Sequence, residues 1–106
     1  MVIRVISIPD IDQSSRTRIL LASLRQLRRD GDLFATSATI HALRNCILTA
    51  EGALRLAEAR LMRGESEETA MLLDLAEARL REGRALLART RQAHSRFRRP
   101  ALRTAA

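Results

Sequence analysis

The stretch that decides the fold is "ILTAEGALRLAEARLMRGESEETAMLLDLAEARL", residues 47–80. Leucine and alanine recur through it at three- and four-residue steps, broken once by "RGES" at residues 63–66. Read back to Ile40, the apolar positions are Ile40, Leu43, Ile47, Ala50, Leu54, Ala57 and Leu61, spaced 3, 4, 3, 4, 3, 4. Read forward from the break, they are Leu73, Ala76, Leu80, Gly83 and Leu87, with the same alternation. That is a heptad seam, the pattern of helices that pack along their length. Two long helices joined by a short loop must run antiparallel. Ser66 is placed to cap the later helix, and Glu67 and Glu68 fall in its first turn, where carboxylates are favoured.

Outward from this hairpin, the spacing predicts a second helix over about 33–63 and a third that loses its seam after about residue 92. Gly52 interrupts the second helix at a cost of about 1 kcal/mol against alanine. Before it, "SSRTRILLASLRQLRRDG", residues 14–31, reads as a first helix over about 14–29. Ser14 or Ser15 can cap it, Leu20, Leu24 and Leu27 form its stripe, and Asp30–Gly31 is its stop signal. The β-branched residues of "MVIRVISIPD" favour an extended segment that ends at Pro9. The expected layout is therefore an extended segment over 1–13, a first helix over 14–30, a helical hairpin over 32–92 and a basic, mobile tail over 93–106 closed to helix by Pro100.

The fold class follows: all-α, an antiparallel helical hairpin preceded by a short helix. Leu72, Leu75 and Leu86 make the apolar face of the third helix broader than one partner helix covers. The expectation is that two hairpins associate into a homodimeric four-helix bundle. The alternative is that the first helix covers the surplus within one chain.

Composition narrows the function classes. The chain has 106 residues, a single domain's worth, with 46% hydrophobic residues and only two aromatics, Phe34 and Phe97. All nineteen basic residues are arginine, and the formal charge is +7. Six of those arginines lie in residues 89–106, which carry no acid, so the remainder is close to neutral. Polyanion affinity would live in the tail; with Phe97 alone there and no helix–turn–helix pattern, nucleic acid is a weak candidate partner. The single cysteine, Cys46, excludes an internal disulfide, fits a reducing compartment and reads as a small buried hydrophobe. His41 and His94 have no cysteine or carboxylate cluster at ligand spacing, so no metal site is expected. No stretch reaches the ~20 apolar residues of a membrane span, and no signal-peptide pattern follows Arg4, so no membrane partner and a cytoplasmic location are expected.

Chemistry concentrates at "TIHALRNCIL", residues 39–48. On the seam numbering Ile40 and Leu43 point inward, and His41 falls on the flank. Asn45 lies one turn beyond His41 on the same strip, and Arg44 sits alongside. A solvent-exposed imidazole is largely neutral and nucleophilic near neutral pH and can take a phosphoryl group from an aspartyl phosphate or return it.

These residues resemble a known family. "HALRNCIL" looks like the H-box of the dimerisation and histidine-phosphotransfer domain of sensor histidine kinases, usually written H-E-L-R-N-P-L. The preceding "LFATSATI" is similar to the short Phe-containing run upstream of that box. The layout is similar too: a histidine well before the end of a long helix, then a short loop and an antiparallel partner. The resemblance spans about residues 33–92. It implies that His41 accepts phosphate, that Asn45 holds the polar position which helps place a water for dephosphorylation, and that Arg44 and Leu48 contact a response-regulator receiver domain. Ala42 stands where the family has an acid that assists when ATP is the donor, and Cys46 where it has a helix-kinking proline. Without a glycine-rich nucleotide loop or an ATPase domain, no ATP-dependent autokinase activity is expected. What remains by resemblance is a stand-alone phosphotransferase, a phosphatase or a receiver-binding decoy. It would need no cofactor of its own, since Mg²⁺ would come with the receiver. The alternatives from other classes are a non-catalytic helical adaptor or inhibitor and a nucleic-acid-associated protein acting through its arginine-rich tail.

Overall fold

The computed structural model describes the backbone of residues 12–105 and the side chains of residues 12–92. It is all-helical over that span. Three helices follow one another: α1 Gln13–Phe34, α2 Ile40–Met62 and α3 Ser66–Ala105. The chain runs up α1, down α2 and up α3. Arg28 of α1 meets Glu51 midway along α2, and Gly31 of α1 meets Leu43 near the start of α2, so those two are antiparallel. Arg16 meets Asp74 and Glu77, and further along Phe34 lies under Arg91, so α1 and α3 are parallel.

The seams read from spacing form the core. Leu43, Ala50, Leu54 and Ala57 of α2 are buried against Leu73, Ala76, Leu80 and Leu87 of α3. Ile40, Ile47 and Leu61 are half-buried at the seam's edge. Leu20, Leu24 and Leu27 of α1 complete the cluster. Burying a leucine contributes about 1.5–3 kcal/mol, so these three favour the packing of α1 on the hairpin. Within one chain, then, α1 covers one side of the hairpin, but not the surplus face expected to need cover: Leu72 and Leu75 line the opposite side, and Leu75 stays 40% exposed.

The turn between α2 and α3 is where the sequence placed it. Gly64 takes a positive φ of 74°, its N–H donates to the Leu61 carbonyl (3.0 Å), and the Glu65 N–H donates back to the Arg60 carbonyl (3.0 Å). That pair of bonds is a Schellman cap, which needs a left-handed residue that glycine supplies without strain. The Arg60 guanidinium also pairs with Glu65 across the turn at 2.9 Å. Two buried threonines near this end, Thr17 and Thr69, donate their hydroxyls to the carbonyls of Gln13 and Glu65 (2.7 and 2.8 Å), so neither leaves an unmet polar group.

Four boundaries differ from expectation. Asp12, not Ser14 or Ser15, caps α1: its carboxylate accepts from the Ser14 N–H at 3.1 Å and from the Ser15 hydroxyl at 3.2 Å. A carboxylate with two acceptor oxygens satisfies both and also favours the positive end of the helix. The extended segment expected over 1–13 lies, except for Asp12 and Gln13, outside the described residues. Next, α1 does not stop at Asp30–Gly31 but runs on to Phe34. Gly31 is buried, and a Cβ there would come within 2.8 Å of Leu43 Cδ2. The glycine is a close-packing position, not a cap. Consequently Leu33 and Phe34 belong to α1, and α2 starts only at Ile40, after a turn in which Thr39 Oγ1 accepts from the Thr36 N–H at 3.1 Å. Last, the backbone of α3 stays helical to Ala105, past residue 92 and through Pro100. Residues 93–105 are rich in arginine, alanine and other good helix formers, which continue the helix where proline alone argues against it.

Candidate functional site

Residues 41–48 open α2, which is anchored at this end by its own Leu43. That side chain is 1% exposed and sits between two glycines. A Cβ on Gly31 of α1 would meet it at 2.8 Å, and a Cβ on Gly83 of α3 would approach it at 3.3 Å and Leu27 at 2.7 Å. Three helices converge on one isobutyl group, and the two glycines leave the room for it. This fixes the rotation of the first two turns of α2 about its own axis. With Leu43 and Cys46 inward, His41, Arg44, Asn45 and Leu48 are turned outward.

All four are exposed, Leu48 by 57%. His41 is the second residue of α2, in the first turn, where the helix dipole is positive and favours an anion. Asn45 follows one turn later on the same strip, and at 3.6 residues per turn Leu48 lies close to that line as well. Arg44 diverges toward α1. There it lines a shallow groove of about 190 Å³ with Arg28, Asp32 and the edge of Ile47. His41 thus stands between an amide on one side and an arginine on the other. Ala42, also exposed, presents no acid or base beside the imidazole.

Cys46 is buried, with its Cβ 3.6 Å from the point a Gly83 Cβ would occupy. Burial pushes its thiol pKa up, and nearby Glu82 adds to that, so it stays protonated and serves as packing. In place of a proline kink, α2 is an unbroken helix from Ile40 to Met62.

Two clusters escape a reading by spacing because their members lie far apart in sequence. Arg16 reaches from α1 to Asp74 at 2.8 Å and Glu77 at 2.7 Å, and Glu77 also takes Arg81 at 3.0 Å. The hydrogen bond from Arg16 holds the Glu77 carboxyl below the ordinary carboxylate range, and the bonds to Asp74 and Glu77 raise the arginine. On the α2–α1 side, Glu51 accepts from Arg28 at 2.9 Å and Arg55 at 3.1 Å and is likewise lowered, chiefly by Arg28. Both clusters clamp helices; neither adjoins His41. The second feature is a groove of about 450 Å³ between α2 and α3, on the side away from α1, lined by Leu56, Met71, Leu72 and Leu75 with Arg60 and Glu68 at its rim.

Among the described residues, no three of His, Cys, Asp and Glu come together as a metal site, and no helix is long and apolar enough to cross a membrane. Comparison of the chain with protein-family models, curated proteins and solved structures gives no match, so the site is read from its own geometry.

Proposed function

We propose that this chain is a receiver-binding histidine protein of the phosphorelay type, acting in the cytoplasm, with His41 as the phosphate-accepting residue. The observation that carries the reading is the placement of His41. It is exposed in the first turn of α2, with Asn45 one turn on and Arg44 on the opposite flank. A ring nitrogen of His41 attacks the phosphorus of an aspartyl phosphate, the P–O bond to the aspartate breaks, the carboxylate leaves, and the imidazole N–H proton passes to water. The positive end of α2 and Arg44 favour the arriving dianion. Mg²⁺ and the acidic pocket belong to the receiver. In the reverse direction the same nitrogen is the leaving group. Asn45 positions a water for hydrolysis, and Leu48 supplies the apolar contact beside the reacting groups. Ala42 offers no base, in keeping with a protein that exchanges phosphate with aspartate and does not draw it from ATP.

The test uses the full chain with phosphoramidate, and separately with a panel of receiver domains phosphorylated by acetyl phosphate in Mg²⁺. Acid-labile, base-stable phosphate on the protein, lost in His41→Gln and kept in His94→Gln, is the expected result. No label, or label that survives His41→Gln, ends the proposal. Faster dephosphorylation of a receiver without labelled protein, abolished by Asn45→Ala, marks the phosphatase direction.

A second reading has one observation in its favour: along α2 the outward strip Asn45, Thr49, Gly52, Leu56 and Ala59 carries no charge, in a chain that is 29% charged. A non-catalytic adaptor that binds a partner by this surface would tolerate His41→Gln and lose binding when the strip is charged.

A further inference from the structure

The groove on the side away from α1 is apolar and has no cover among the described residues. Leu56 of α2 and Met71, Leu72 and Leu75 of α3 enclose about 450 Å³, with Leu56 52%, Met71 71% and Leu75 40% exposed. It opens toward the α2–α3 turn: Glu68 at its rim is two residues from Ser66, and from Glu68 to Leu75 it runs about 10 Å along α3. The start of α1 stands at the same end of the bundle, because the Gln13 side-chain amide donates to the Ser66 carbonyl at 2.9 Å. The residues before Asp12 therefore join the described fold beside the mouth of the groove. Their composition is unlike that of the rest of the chain. Six of the nine valines and isoleucines fall in residues 2–11, both valines among them, while the helices are built on leucine and alanine.

We infer that residues 3–8 of this same chain lie extended in the groove, with Ile6 and Ile8 against Met71, Leu72 and Leu75. Valine and isoleucine favour an extended apolar segment, and the described residues hold no strand for it to pair with, so a helix face is the surface left for its burial. Reach allows it. At about 3.3 Å per residue, the four steps from Asp12 to Ile8 span about 13 Å, enough to round a helix about 10 Å across. The two further steps to Ile6 add about 7 Å, within the length of the groove. In an extended chain Ile6 and Ile8 share a face. The groove is open along its length, so the segment's N–H and C=O groups keep water as their partner. A smaller hollow of about 210 Å³ between α1 and α2 lies nearer to Asp12, but Ser14, Thr17, Arg18 and Glu58 line it beside Leu61 and Met62, and isoleucine gains little against that polar lining. His41 is fifteen residues from Leu56, about 22 Å along α2, so the inference does not depend on its chemistry.

The rate at which dithionitrobenzoate modifies a cysteine introduced into the full chain tests it, with circular dichroism as a check on folding. Met71→Cys reports on the groove and Met62→Cys on the surface outside it, at positions 71% and 88% exposed, and the buried Cys46 is the slow thiol common to both. With an empty groove the two would react alike. The expected result is that Met71→Cys reacts about tenfold or more slowly than Met62→Cys, as a thiol does that is reached only when its cover opens. The protection should be the same at every protein concentration, because docking of a tethered segment is intramolecular. Ile6→Glu combined with Ile8→Glu should abolish it with helicity unchanged. Equal rates in the two reporters overturn the inference, as does protection that survives Ile6→Glu with Ile8→Glu. Protection that grows with protein concentration assigns the groove to a second copy, and protection of Met62→Cys instead assigns the segment to the smaller hollow; either result also overturns it.

Discussion

The two faces of the α2–α3 hairpin share leucine and alanine at heptad spacing and differ in what covers them. Under α1, Leu43 and Leu54 are 1% and 0% exposed, and Gly31 and Gly83 let the helices close on Leu43. On the other side, Leu56, Met71 and Leu75 keep two-fifths or more of their surface. Composition separates the faces as well as contact: the inner seams hold only Ile, Leu, Ala and Gly, while Asn45, Thr49, Glu68, Glu82 and Arg89 stand among the outward positions. A leucine two places along the same helix is core or surface according to which neighbour the chain supplies.

Leu54 and Leu56 put that difference to the largest test. Leu54→Ala leaves a cavity in a site with no room to collapse, and about 2–5 kcal/mol of stability should go with it. Leu56→Ala should cost a fraction of that, about 1 kcal/mol or less, because the groove it lines is open to water. Urea unfolding of the two variants, compared by midpoint at constant slope, measures the contrast. Equal losses would mean that the open face is filled as tightly as the inner one.

Gly83→Val asks the same question by addition. Its Cβ would stand 2.7 Å from Leu27 Cδ2, with Cys46 and Leu43 leaving no escape, and overpacking of this sort costs about 1–3 kcal/mol. Because the clash falls between α1 and α3, the variant should loosen α1 first. Faster hydrogen exchange in residues 20–31 than in 50–57 is the expected signature.

The ion pairs that pin α1 should matter less, and in a stated direction. The Glu77 carboxyl is held below its ordinary value by Arg16, and Glu51 below its own by Arg28. A carboxyl lowered in the folded state contributes stability that is complete above its unfolded pKa and is lost as pH falls through the folded value. Melting temperature should thus be flat near neutrality and decline below about pH 4.5, the ordinary glutamate value. Arg16→Ala should flatten part of that decline and cost about 1 kcal/mol or less at pH 7, since the cluster is partly exposed. A full-sized decline in the variant would remove Arg16 as the cause.

Periodicity made the hairpin, its turn at Gly64 and the burial of both inner seams legible, because heptad spacing reports directly on which residues can touch. It also put His41 on the flank, next to an inward Ile40, and the imidazole is exposed. Glycine was the blind spot. At Gly31 the absence of a Cβ reads as a helix stop, yet the same absence serves close approach, and only the position of Leu43, twelve residues away, tells the two apart. The Leu33–Phe34 pair was similarly ambiguous: apolar residues beside a turn suit either helix, and the bond between the Thr36 N–H and the Thr39 hydroxyl settles it. The Arg16 cluster joins residues about sixty apart in sequence and leaves no local trace. The outward strip of α2 was visible in principle, but small residues such as Thr49, Gly52 and Ala59 do not announce a face until the inner one is known.

Gly52 offers the smallest effect and a sign that discriminates. It lies mid-helix on α2, exposed, with no atom within 4 Å of where its Cβ would be. On propensity alone Gly52→Ala should stabilise the single chain by up to about 1 kcal/mol. In the homodimeric bundle expected from the sequence, a second protomer that covers this uncharged strip of α2 would put a methyl there against packing instead of water. The substitution should therefore raise the melting temperature at low protein concentration and raise it less, or lower it, at high concentration. A gain that is the same at every concentration would place Gly52 in open solvent in every state of the protein and move the second protomer off this strip of α2.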